Sequence, residues 1–157
     1  MTNFTAFRSE IDDFQAQALV PGPAGIPIFS VTNAGSVETY GLEGDVTLLP
    51  MDGLTLSTSF AYTHATFDSF SEAPCYTLQP VGPDGCVDTN ADGRGEYQKL
   101  DGKTLAQSPE WIINGLARYD FDLTQKLGGF VQVGAQYRGD AISSNTNDPN
   151  TALDAYT

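Results

Sequence analysis

NAGSVETYGLEGDVTLLPMDGLTLSTSFAYTHATF, residues Asn33–Phe67, reads as two long antiparallel strands joined at Pro50-Met51-Asp52-Gly53. After the turn, Leu54, Leu56, Thr58, Phe60, Tyr62 and His64 fall on one face, and Thr55, Ser57, Ser59, Ala61, Thr63 and Ala65 on the other. Before it, Tyr40, Leu42, Gly44, Val46 and Leu48 share a face, opposite Thr39, Glu43, Asp45 and Thr47. Side chains alternate with period two along a strand, so this pattern asks for one greasy neighbour and one wet one. A water-soluble sandwich would bury the oily face on a second sheet. A membrane barrel would turn it to lipid and keep the polar face in its lumen.

Outward from this hairpin, the chain repeats the pattern. A first strand runs from Asn3 to about Gln17, with Phe7 and Ile11 on one face and Arg8, Glu10 and Asp12 on the other. The Pro/Gly run at 20–27 leads into Ile28–Asn33, and Gly35 marks a bend before the strand resumes through Leu49. Leu54 to about Phe70 follows. Residues 71–107 form a long polar loop. Glu110–Leu123 then places Trp111, Ile113, Ala117, Tyr119 and Phe121 opposite Asn114, Arg118 and Asp120. Gly129–Ile142 sets Val131, Val133, Ala135 and Tyr137 against Gln132, Gln136 and Arg138, and a sixth strand starts near Leu153. The short turns, LPMDG and TQKLGG, fall at one end of the hairpins, and the longer polar links at 18–27, 71–107 and 143–152 at the other. That asymmetry belongs to outer-membrane barrels. Strands of this length also exceed the ~5–6 residues usual in sandwiches. Tyr62, Trp111, Tyr119, Phe121 and Tyr137 sit near strand ends, where aromatic girdles belong, although ordinary sheet packing also favours them.

Composition bounds the function. A chain of 157 residues is one domain by length. Net charge is −13, which argues against nucleic acid and against peripheral docking on an anionic bilayer. No run of ~18 apolar residues offers a transmembrane helix, and MTNFTAFRSEIDDF lacks a signal peptide's basic and apolar regions. The chain therefore reads either as cytosolic or, as we favour, as a fragment of a longer precursor. Cys75 and Cys86, with ten residues between them in a Pro/Gly-rich loop, read as a loop-closing disulfide in an oxidising compartment; the alternative is two free thiols in the cytosol.

In their order and spacing, the residues resemble the outer-membrane TonB-dependent receptor family. The motifs are Asn33-Ala34-Gly35, Gly41-Leu42-Glu43, Pro50-Met51-Asp52-Gly53-Leu54, Tyr62-Thr63-His64-Ala65-Thr66-Phe67, the Cys75/Cys86 loop, Pro109-Glu110-Trp111 and Tyr137-Arg138. Each is weak alone, but together they cover nearly the whole chain. The resemblance implies an all-β antiparallel meander of long strands: a partial transmembrane β-barrel of about six strands from a barrel of about 22. It implies that residues 1–157 are a single segment of the barrel domain, with 71–107 as an extracellular loop and the plug domain absent. It further implies active uptake across the bacterial outer membrane of a scarce ligand: siderophore-iron, cobalamin or an oligosaccharide. The partners would be outer-membrane lipid, the ligand, and the TonB–ExbB–ExbD energy-coupling system acting through the missing plug. A secreted carbohydrate-binding sandwich and a porin-type barrel are the alternatives.

Few residues suggest chemistry. Asp88, Asn90 and Asp92 followed by Gly93 match the first half of a calcium loop, with Glu96 as a further oxygen donor. Lys99 stands where the bidentate glutamate belongs, so a solvated Asp/Asn/Gly turn competes with a weak calcium site. No other cofactor is expected. His64 is the single histidine and lies on the oily register, a girdle position rather than a catalytic one. Glu43, Asp45 and Asp120 read as lumen acids, with Arg118 or Arg138 as partners. We expect no enzyme. For ligand contact, Tyr76 and Tyr97 in the long loop are the candidates.

Overall fold

The computed structural model of the chain describes residues 1–21, 26–83, 85–91, 93 and 95–157, without the side chains of residues 18–21, 27 and 30. Its centre is a five-stranded antiparallel sheet. In spatial order it comprises β1 (Thr2–Asp12), β4 (Ser36–Met51), β5 (Leu54–Ser69), β6 (Trp111–Thr124) and β7 (Leu127–Arg138). Two ribbons extend it at the loop end: β2 (Gln15–Pro21) with β3 (Pro27–Asn33), and β8 (Ala141–Ile142) with β9 (Ala152–Leu153). The sheet does not close; β1 and β7 are its edges.

The expected long first strand is two strands. Asp13 takes a left-handed φ of 55°, and the chain changes direction there. The partner segment bends at the same level through Asn33-Ala34-Gly35. The Asn33 side chain accepts the Gly35 N–H at 2.8 Å and donates to Asp13 at 3.2 Å. Ala34 is fully enclosed. Gly35 has φ +64°, and a β-carbon on it would press into Ser69; this position needs glycine on both counts. The Pro/Gly turn expected between the ribbon strands falls largely on residues 22–25, outside the described residues.

At the opposite end the connections are tight. Met51 pairs with Leu54, and Gly53 at φ +80° reverses the chain with a one-residue register shift. Thr124 pairs with Leu127 across the second turn, so β7 begins two residues earlier than its sequence pattern suggests. β7 also stops at Arg138, short of the expected Ile142. The sixth strand expected to start near Leu153 begins there as the short β9. Residues 149–151 wind into a 3-10 turn capped by Asp148, and Tyr156 bridges Arg138 through two backbone hydrogen bonds of 3.0 Å.

The register places the apolar column on one continuous face. Leu42 opposes Tyr62, Leu48 opposes Leu56, Phe60 opposes Ile113, and Ile113 opposes Tyr137. Among the described residues no second sheet covers it: Val133 is 67% exposed and Leu42 52%. Gly44 leaves room on this face for Phe4 and Phe60, whose rings lie 6.1 Å apart. Aromatic rows bound the column. Toward the loops stand Tyr40 (its ring tilted against His64 at 4.8 Å), Tyr62 tilted against Trp111 at 4.9 Å, and Tyr137. Toward the turns stand Tyr119 and Phe121, 6.1 Å apart. From Trp111 to Tyr119 or Phe121 the strand climbs roughly 27–34 Å at ~3.4 Å per residue, or about 20–26 Å once tilted by ~40°. That matches the ~25 Å apolar band of a membrane barrel.

Candidate binding site at the loop end

Above the Tyr40 level, both faces exchange character. β1 pairs Arg8 with Tyr40 and Glu10 with Glu38, so the outward face turns charged, and Arg8 reaches Glu38 at 2.6 Å. The inward face turns apolar. Phe7 opposes Gly41, Ile11 opposes Val37, and Val37 opposes Phe67. The molecule's buried core forms there: Ala16, Ala34, Val37, Phe67, Phe70, Ala73 and Leu100, with Phe14 and Leu105 packed against it. The core therefore lies not under the sheet but at its loop end.

Residues 71–107 close this core by folding back onto β5. Phe67 donates to Lys103, Leu105 to Ala65 and Leu100 to Phe70 through their backbones. Asp101 accepts the Phe70 N–H at 2.6 Å. Cys75 and Cys86 are joined in a disulfide. Gly95 lies so close to Cys86 that a β-carbon there would overlap the sulfur. Gln98, nearly fully buried, pins the loops together. Its amide nitrogen donates to Pro74 O at 2.8 Å and to Thr146 O at 2.7 Å, and its oxygen accepts from Gln79 at 2.8 Å. Asn147 donates to Thr104 O at 3.0 Å, and Asn145 reaches across to Gln17 O at 2.7 Å. Gln17 lies in the ribbon that follows the β1 edge and residues 143–151 follow the β7 edge, so this contact bridges the loop end of the sheet.

Between residues 71–107 and 143–151 lies a cleft of about 580 Å³. Tyr76 lines it, with Gln79, Lys99, Lys103 and Asn147. Tyr97 pairs through its backbone with Val87 and does not line it. Asp88 accepts the N–H groups of Asn90 and Gly93 at 3.2 and 2.8 Å, and Glu96 accepts from the N–H and hydroxyl of Thr89. Asp92, the third acid of the calcium pattern, lies outside the described residues. The sequence reading missed the two lysines and Gln98. The lysines had a signal, since two of the chain's three lysines stand four residues apart in an acidic loop. Gln98 had none: its burial comes from a contact 48 residues away.

Lower down, a second hollow of about 460 Å³ opens on the inward face, lined by Asp45, Thr47, Ser57, Ser59, Asn114 and Gln136 among others. Asn3 donates to the Asp45 carboxylate at 3.1 Å. Arg118 holds Asp120 through a bidentate pair and lies 4.0 Å over the Phe130 ring. Phe130 and Leu116 are large apolar residues on this wet face, and the guanidinium shields the first. His64 is half-buried on the outward face, its Nδ1 3.5 Å from Glu110.

A family model described as TonB dependent receptor-like, beta-barrel matches residues 1–157, the whole chain. No curated protein and no solved structure matches it.

Proposed function

Since the chain belongs to the TonB-dependent receptor β-barrel family, we propose that it forms a sector of barrel wall in an outer-membrane receptor for active uptake of a scarce ligand. The members of this family are outer-membrane transporters. On our reading the ligand is a siderophore-iron complex, cobalamin or an oligosaccharide, and uptake is driven by the TonB–ExbB–ExbD system acting through a plug domain. Residues 71–107 would then be an extracellular loop that contributes to ligand capture. The observation carrying the reading is the exposed apolar column between two aromatic rows, with hydroxyls and acids behind it. Water on both faces would leave that column without a physical reason. Lipid on one face supplies it. The two free edges fit as well. A sheet edge in hydrocarbon leaves unpaired N–H and C=O groups, so β1 and β7 each take a further strand in the intact barrel.

The test is a lipid-soluble quencher applied to single spin or fluorescent labels in the receptor. Labels at Leu56 and Phe60 should be quenched from the bilayer, and labels at Ser57 and Ser59 from water. Equal aqueous access at all four would remove the membrane reading. Deleting residues 75–100 should abolish uptake while the barrel still assembles.

A further inference from the structure

We infer that the cleft between residues 71–107 and 143–151 recognises an anionic small molecule, one carrying at least two carboxylate or phosphate groups; this rests on the receptor reading above. The chain holds 20 acids against 7 basic residues. Yet among the described residues lining this cleft, the charged ones are Lys99 and Lys103. Among the described residues, three acids of these loops serve the loops themselves: Asp101 accepts from the Phe70 N–H, Glu96 from Thr89, and Asp148 from the Asn150 N–H. The lysines do not. Among the described residues the ion pairs are Arg8–Glu38, His64–Glu110 and Arg118–Asp120, and neither lysine enters one.

Two ammonium groups left unpaired in a field this negative invite an anion. The loop also holds its own shape. The disulfide, the Gln98 pin and the Leu100 contact fix the backbone on either side of Lys99. Pre-formed walls lower the ordering cost of binding. Tyr76 and Asn147 add a phenol and an amide for orienting contacts beside the charges. Lysine suits this role because its ammonium acts as a compact point charge, without the fixed fork of arginine.

The experiment uses the intact receptor in detergent. Citrate, tripolyphosphate and, as a neutral probe, maltotriose are titrated by microscale thermophoresis. At least one polyanion should bind, weakening as salt rises from about 50 to about 500 mM, while maltotriose gives no response. Lys99→Gln with Lys103→Gln should weaken that binding by about tenfold or more. Lys126→Gln, in the turn at the far end of β6 and β7, should leave it unchanged. Failure of both polyanions to bind, binding that survives the double substitution, or equal binding of maltotriose would overturn the inference. The quencher measurement above reads the receptor assignment separately. Lipid-quenched Leu56 with lysine-independent binding sinks only the anion site, whereas lysine-dependent anion binding with a water-exposed Leu56 sinks only the membrane reading.

Discussion

The two ends of β4 and β5 follow opposite rules. From the turns up to Tyr40, the outward face is apolar and exposed, while the inward face carries Thr47, Ser57, Ser59 and Asp45. Past Tyr40 the outward face carries Glu38 and its partner Arg8, while the inward face carries Val37 and Phe67, buried under the loop. One continuous pair of strands thus changes solvent part-way. The lower region fits a wall between hydrocarbon and a wet lumen. The upper region fits an ordinary soluble protein, with its oil inside and its charges out. The aromatic row at Tyr40, Tyr62, Trp111 and Tyr137 marks the change.

Substitutions test this contrast. The largest effect should come from Phe67→Ala, which empties the most enclosed aromatic site of the loop-end core at a cost of about 3–5 kcal/mol. Hydrogen exchange should then lose protection at the Phe70, Leu100 and Gly102 amides, while β6 and β7 keep theirs. Equal loss in both places would mean that the two ends are one cooperative unit.

Next in size are Thr58→Arg and Ser57→Arg, neighbours on opposite faces. Arginine at Thr58 faces the bilayer and should cost about 2–4 kcal/mol near mid-membrane. At Ser57 it faces the inward hollow and should cost within about 0.5 kcal/mol. Unfolding in lipid vesicles measures both; matching values would erase the distinction between the faces.

Gln98→Leu should come third. It takes the amide partner from Pro74 O, Thr146 O and Gln79, at about 1–3 kcal/mol. Its signature is local: residues 143–151 should exchange faster, with β4 and β5 unchanged.

Arg8→Ala should do least. The pair with Glu38 is exposed on the arginine side and should be worth less than about 1 kcal/mol. A larger loss in a denaturant titration would show that the charged outward face above Tyr40 is packed against something other than water.

Much of the lower region could be read from the amino acids. Alternation through Leu54–His64 and Trp111–Phe121 allots each residue to a face, and a two-residue period leaves little freedom once one face is assigned. Asp52-Gly53 announces its turn because only glycine accepts φ +80° without strain. The upper region was far less legible. In β1, Phe7 and Ile11 separate from Arg8 and Glu10 in the sequence, but alternation cannot say which face is the inner one. That needed the pairing of Ile11 with Val37 and of Val37 with Phe67. The kink at Asp13 was equally hidden, since it is set by the facing Asn33.

Sequence by itself settled the strand periodicity, the apolar column and the division into short turns and long loops, because each depends on residues within one strand or one hairpin. It took the folded chain to reveal where the buried core lies, that Gln98 joins two loops, and that Lys99 and Lys103 line the same cleft as Asn147. Those facts depend on how loops 40 or more residues apart meet, and no local pattern of side chains encodes a meeting of that kind.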